Sequence, residues 1–338
     1  MKYFLTFSGI ELFSVLLGFI GRSSEKIKWM GREYTTTLKG ASMLIILWSH
    51  VGITYGIQHI QFIGTIGVSL FIIFSGYGIQ MSTESHGLKG YWRRRIVSIA
   101  LPYWIVEAIG LFVTGQFTIK RYVLDFFFIQ PAMGSGWFMQ YIMICYLIYY
   151  FFCVIFKQNR DCRDVDGEKN ILYGAFLIWF VIDSLYFADP VMPFLKARQM
   201  LCFPFGVTIA KHRDKISELL DKQTVKMGGL IIGLVFMAIT QLRVIKESTF
   251  LIQNLLSLPT VFPMAISAIA ITKRRNWLLN NRVLTVMGLI SFEVYLVHIF
   301  TLSILQPSKA ALGLFIITTI AGACLLHLLR KELVKWLT

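Results

Sequence analysis

Apolar residues fall along this chain in blocks of about twenty, the length a helix needs to cross a hydrocarbon core of roughly 30 Å. Eleven such blocks predict eleven spans: Tyr3–Ile20, Leu38–Ile57, Phe62–Met81, Ile96–Gly115, Gly134–Phe156, Ile171–Phe187, Pro193–Ala210, Met227–Leu242, Phe250–Thr272, Leu284–Leu305 and Ala310–Leu329. Pro102, Pro204, Pro259 and Pro263 lie inside them. Neighbouring helices in a membrane re-satisfy the carbonyls that proline frees, so kinks rather than breaks are expected. No internal repeat or interdomain linker is visible, and Lys157–Asn170 is the longest plainly polar stretch.

Composition agrees with the blocks. Of 338 residues, 56% are apolar and only 15% charged, with a mean hydropathy of +0.65. A soluble domain carries about 25% charged residues, so the fold class is all-α: a polytopic integral membrane helix bundle. Soluble enzymes, DNA-binding domains and disulfide scaffolds are excluded. Cys145, Cys153, Cys202 and Cys324 lie in apolar blocks and Cys162 in a charged loop, with no metal-ligand spacing, so no metal site is expected.

The net charge of +15 has a topological explanation rather than a nucleic-acid one. The odd-numbered connections and the C-terminal tail carry 24 of the 33 Lys and Arg residues, and the even-numbered connections carry 5. By the positive-inside rule the odd connections and the C-terminus are cytoplasmic and the amino terminus is outside. Met1–Ile20 lacks an A-x-A cleavage site and is followed by Arg22, Lys26, Lys28 and Arg32, which reads as an uncleaved extra helix. Residues 1–37 are thus an added span and loop, and 38–338 a ten-span core with a short tail.

Ionisable residues inside spans are costly and are functional candidates by default. Here they are Glu11, Lys39, His50, Glu107, Asp183, Lys196, Arg198, Glu293, His298 and His327. Lys196 and Arg198 open a span and can snorkel, Glu11 lies on the extra helix, and His327 is near a cytoplasmic end. Asp183 has no partner that the sequence names.

Three constellations remain. Lys39 and His50 are eleven residues apart, which puts them on one helix stripe about 16 Å apart along the axis. A cation at the lip and a titratable base inside suit an anionic donor reaching in with its reactive end. A snorkelling lysine and a histidine bonded across helices is the structural alternative. Second, Gly64, Gly67, Gly76 and Gly78 allow close helix approach, and Ser75 and Tyr77 put hydroxyls near the cytoplasmic end of that span. Arg93, Arg94 and Arg95 then open the next span, where a helix start and guanidinium forks suit phosphate, although topology alone also asks for charge there. Third, Ser291, Tyr295 and His298 recur at i, i+4 and i+7, a polar stripe with Glu293 off to its side. Such a stripe lines either an interhelical hydrogen-bond network or a cavity.

Together these runs resemble acyltransferase family 3, the bacterial membrane O-acyltransferases. The resemblance extends over about 38–330. It rests on K-x(10)-H at Lys39 and His50, where the family usually has arginine first, and on G-x-x-G-V-x-L-F-x-x-x-S-G-Y at Gly64–Tyr77. It rests also on R-R-R-I…L-P-Y-W from Arg93, on Trp137-Phe138, and on S-F-x-x-Y-L-x-H at Ser291–His298. Lysine at 39 keeps the charge but loses the bidentate fork.

The resemblance implies a multi-pass protein of the bacterial cytoplasmic membrane. It would transfer an acetyl group from acetyl-CoA to a hydroxyl of a cell-envelope glycan or its lipid-linked precursor, in contact with the lipid bilayer. His50 becomes the catalytic residue, as general base or as transient acyl carrier. Lys39, Arg93, Arg94 and Arg95 would hold the donor's phosphates and Ser75 and Tyr77 its thioester. Glu293, Tyr295, His298 and Trp137 would face the acceptor. A transporter or flippase of a small solute or acyl group is the alternative on the same helices. Against it, the chain shows no paired Gly/Pro-broken spans in matching halves.

Overall fold

The computed structural model describes residues 1–20, 25–132, 136–156, 166–187 and 194–337. Arg22, Cys162 and most of the Lys157–Asn170 loop lie outside the described residues. The described chain is helical, with no strand. Six of its helices are long and apolar enough to cross a membrane, and a seventh span forms if one bent pair is taken together. Several predicted spans are shorter or more polar than a full crossing. Lys2–Leu17 has 16 residues and Cys202–Lys211 has 10, while Arg32–Thr54 carries Arg32, Glu33 and Lys39.

Two compact units divide the chain. One comprises Met1–Gly67, Gly90–Gln140 and Arg275–Thr338. Its helices are α1 (Lys2–Leu17), α2 (Arg32–Thr54), the start of α3 (Gln61–His86), α4 (Tyr91–Val113), α5 (Ile119–Phe126), the start of α6 (Trp137–Phe156), and the C-terminal helices Asn276–Leu279, Arg282–Leu289, Ser291–Thr301 and Lys309–Leu337. The tenth block, Leu284–Leu305, predicted as a single span, is instead broken: Arg282–Leu289 and Ser291–Ile304 meet at 77°.

Glycine packing accounts for the position of that break. A Cβ at Gly288 would collide with the Thr36 carbonyl, and one at Gly40 with the Leu284 carbonyl. Arg282–Leu289 therefore lies backbone-to-backbone against α2 up to Gly288, and the chain then turns away at Ile290, which leaves helical geometry at φ −109°, ψ 11°. The Ser291 hydroxyl donates to the Gly288 carbonyl at 3.0 Å and closes the corner.

The N-terminal helix is bound into this unit by polar contacts as well as apolar ones. The Trp48 indole N–H donates to Ser8 Oγ at 2.8 Å, and Asn281 Nδ2 to the Val15 carbonyl at 2.8 Å. The Asn281 Oδ1 also caps the helix that follows it by accepting from the Leu284 N–H. In α4 one π-helical turn, Ile96–Ala100, follows the three arginines and precedes Pro102. Such a turn re-aims the side chains on either side of it.

The other unit, Val68–Lys89 and Tyr141–Arg274, is described by itself. The part of α3 in it packs closely on the helix α7 (Cys202–Lys211), with Gly76 against the Phe203 carbonyl and Gly206 against that of Ile73. Gly78, expected to be a close-approach residue, has open space around it. Helix α8 (Gln223–Thr240) lies on α9 (Phe250–Thr272) through Gly229 and Gly233, whose Cβ positions would meet the Pro263 and Thr260 carbonyls. The expected proline kink occurs at Pro259, which has φ −81° and ψ 16°. Asp183, unpartnered in sequence, receives the Lys196 ammonium at 3.2 Å.

Candidate functional site

Two histidines 248 residues apart in sequence meet in the first unit. His50 Nδ1 lies 2.9 Å from His298 Nε2, and the rings stack at 5.1 Å with 15° between their planes. His298 is fully buried and His50 half-buried. The partners of His298 determine who donates. Its Nδ1 lies 2.7 Å from the Tyr295 carbonyl and 3.1 Å from that of Val294. A carbonyl can only accept, so His298 Nδ1 carries a proton and donates. Its Nε2 then offers a lone pair, and His50 Nδ1–H donates to it. In the neutral His50 ring the remaining lone pair is on Nε2, which has no protein partner among the described residues. A base with its lone pair oriented by a second group is the arrangement that proton abstraction requires. When Nε2 is protonated, Nδ1–H still donates to His298, so one geometry serves both protonation states.

Aromatic contacts extend from the pair. The Tyr295 ring lies 5.6 Å from His298 and 4.9 Å from Phe138, and Phe138 lies edge-on to Trp137 at 6.1 Å. The predicted stripe is thus real at Tyr295 and His298, while the Ser291 hydroxyl closes the corner at Gly288. Glu107, buried on α4, acts electrostatically on Tyr295, and its Oε1 has no hydrogen-bond partner among the described residues. Close by, Asp125 accepts from the Tyr103 hydroxyl at 2.6 Å and the Ala132 N–H at 3.0 Å. Arg121 donates to the Ala132 carbonyl and to Gln116 Oε1. Beside α5 a cavity of about 330 Å³ is lined by Thr118, Lys120, Arg121, Gln130 and Ala132 with Leu124 and Pro131. Asp125 lies just past the blocks read as spans, and a cavity wall has no sequence signal of its own. Neither was anticipated.

Glu293 is turned away from the stripe, as its register requires. It is fully buried, and its Oε1 accepts from Arg330 Nε at 2.8 Å and lies 2.9 Å from His327 Nδ1. Both partners come from the last helix, Lys309–Leu337. Lys39 lies near enough to Arg330 for the two charges to act on each other. Arg93 is exposed at the start of α4, and Arg95 lies over the Tyr91 ring at 5.6 Å. The π turn that follows them packs on Lys309–Leu337. Ser75 and Tyr77 belong to the other unit, where the Ser75 hydroxyl donates to the Phe71 carbonyl of its own helix. Among the described residues no group of His, Cys, Asp and Glu is arranged to hold a metal ion.

A family model described as an acyltransferase domain matches residues 33–329, most of the chain. The chain belongs to acyltransferase family 3. The match begins in the first turn of α2 and ends one residue before Arg330, so it takes in Lys39, His50, the arginine triplet and the whole Ser291–His298 stripe. This acyltransferase finds no match among curated proteins or among solved structures. It is a membrane acyltransferase with several apolar helices, and finer assignments rest on the site itself.

Proposed function

We propose that this family member is an O-acetyltransferase of the bacterial cytoplasmic membrane, with its amino terminus outside and its carboxyl terminus in the cytoplasm. It moves an acetyl group from acetyl-CoA to a hydroxyl of a cell-envelope glycan or its lipid-linked precursor. The observation that carries this reading is the His50–His298 pair. His50 Nε2 takes the proton of the acceptor hydroxyl as that oxygen attacks the thioester carbonyl. When the C–S bond breaks, the same nitrogen returns the proton to the departing thiolate, so the reaction closes with free CoA and no net proton. The same lone pair could first accept the acetyl group itself and pass it on. Lys39 and Arg93–Arg95 supply cations for the donor's phosphates, and acyl-CoA is made on the side where the positive-inside rule puts them. Trp137, Tyr295 and His298 line the approach proposed for the acceptor, and Ser75 and Tyr77 remain candidates for the thioester. Family membership favours acyl transfer over transport.

The test is transfer of labelled acetyl from acetyl-CoA to a crude envelope glycan fraction by membranes holding wild type or His50→Ala. Transfer lost in the variant at equal protein level supports the reading. Equal transfer by both removes His50 from the chemistry. Label retained on the wild-type protein without acceptor, and absent from His50→Ala, selects the acyl-histidine route over the general base.

A further inference from the structure

The cytoplasmic-side charges around Glu293 do not balance. Lys39 and Arg330 are two cations near one another, and among the described residues Glu293 is the single carboxylate hydrogen-bonded to the pair's arginine. Glu293 engages Arg330 through Nε, which fixes the guanidinium plane; Nη2 lies 3.4 Å from His327 Nδ1, and Nη1 has no partner among the described residues. Among the described residues Lys39 has no hydrogen-bond or carboxylate partner, and the Arg330 charge acts on it. Two neighbouring cations in a largely dehydrated helix bundle are held close together only at a cost, unless an anion sits with them. A second group is also open: Glu293 Oε2 is buried with no hydrogen-bond partner among the described residues. Buried carboxylate oxygens are ordinarily hydrogen-bonded, so this one can accept an N–H or O–H that a ligand brings.

The spacing to the catalytic histidine selects the ligand. Lys39 lies about 16 Å from His50 along α2, and Glu293 about 7.5 Å from His298 along its own helix. A phosphate at Lys39 and Arg330, an amide N–H at Glu293 and a thioester at His50 follow the order of groups along an acyl-CoA: phosphates, pantetheine amides, sulfur. We propose that Arg330, oriented by Glu293 and working with Lys39, grips the phosphate end of the acyl-CoA donor. This rests on the acyl-transfer reading above and assigns to it a residue that lies just past the family match. Lys39 supplies a point charge, and Arg330 supplies the planar fork that lysine lacks. His327 flanks the carboxylate and helps to keep it in place.

The experiment uses the full-length protein in lipid nanodiscs and two ligands, acetyl-CoA and S-acetylpantetheine, which carries no phosphate. Arg330→Gln is expected to weaken acetyl-CoA binding at least tenfold and to leave the weak binding of S-acetylpantetheine unchanged. Glu293→Gln should weaken acetyl-CoA binding less, since the arginine stays charged but loses its bracket. If Arg330→Gln does not insert, Arg330→Lys serves instead, with a smaller loss confined to acetyl-CoA. Equal acetyl-CoA affinity in wild type and the arginine variant overturns the proposal and leaves the acyltransferase reading standing. Equal weakening for both ligands also overturns it, because it indicates damage to the fold. A folded wild type that binds neither ligand overturns the acetyl-CoA reading itself.

Discussion

Replacing His298 tests whether the histidine pair works by fixing a tautomer. His298 touches His50 through one hydrogen bond of 2.9 Å and is itself fully buried. In His298→Phe the ring volume is kept, so no large cavity opens, but His50 Nδ1–H loses its acceptor. A hydrogen bond of this kind is worth about 0.5–1.5 kcal/mol net, which corresponds to a factor of roughly 2–13 in the fraction of His50 holding its lone pair on Nε2. Loss of ring orientation adds to this, so kcat should fall about 10–100-fold, against about 100–10,000-fold for His50→Ala, which removes the base. His298→Gln reaches as far as Nε2 with a carbonyl oxygen that accepts from His50, and should stay within about fivefold of wild type. The assay is initial-rate acetyl transfer at saturating acetyl-CoA, with donor KM measured for each variant. The donor KM should not move, because the phosphate contacts lie elsewhere. Wild-type rates in His298→Phe, or equal loss in the Phe and Gln variants, would refute the tautomer argument.

Three further outcomes follow from packing and charge. Lys196→Met leaves the buried Asp183 carboxylate without its 3.2 Å partner and should cost about 3–5 kcal/mol of stability; thermal unfolding in detergent should show most of it restored in Lys196→Met/Asp183→Asn. Gly288→Val drives a side chain into the Thr36 carbonyl and should cost about 1–3 kcal/mol, whereas Gly78→Ala, with open space around it, should be silent in the same measurement. Asp221, outside the spans, is held below the usual carboxylate range by the Lys273 ammonium at 2.9 Å, with Arg274 also bonded to it. Its contribution is therefore fully present above the unfolded value near about 4 and is lost as pH falls through the lower folded value. Asp221→Asn should lower the melting temperature at neutral pH and match wild type at pH 2–3.

Helical periodicity made some of this site legible and left the rest out of reach for a physical reason. The i, i+4, i+7 register of Ser291, Tyr295 and His298 correctly separates Glu293 from the stripe, because the angle between positions on one helix is a local property. The partner of each face is not local. His50 and His298 meet across 248 residues, so the sequence left a catalytic pair and a bland interhelical hydrogen bond as rival readings of His50. The structure contains that hydrogen bond, and its donor direction is what leaves Nε2 available as a base. The interhelical hydrogen bond therefore does not exclude the catalytic role proposed above. The break at Ile290 was also invisible, since no proline marks it: it arises where Gly288 abuts Thr36 on another helix.

Charge counting misled in a more specific way. Arg330 was one of the tail cations that the positive-inside rule already explains, and His327 a residue near a helix end. Neither needed a further reason to exist. Yet a topological signal has no need of geometry, and Arg330 has it: Nε lies 2.8 Å from a carboxylate that is wholly out of water. A cation needed only for orientation would be left in solvent, where burial costs nothing. Burying Glu293 to hold an arginine only about a quarter exposed makes sense if the guanidinium has to point in one direction. The direction is set by what the departure at position 39 leaves unfilled. With lysine there, position 39 offers no fork, and the last helix supplies one at Arg330, whose charge acts on Lys39. Reversing the pair by Lys39→Arg in an Arg330→Gln background should then recover part of the acetyl-CoA affinity that Arg330→Gln loses, and no recovery would place the two cations at separate tasks.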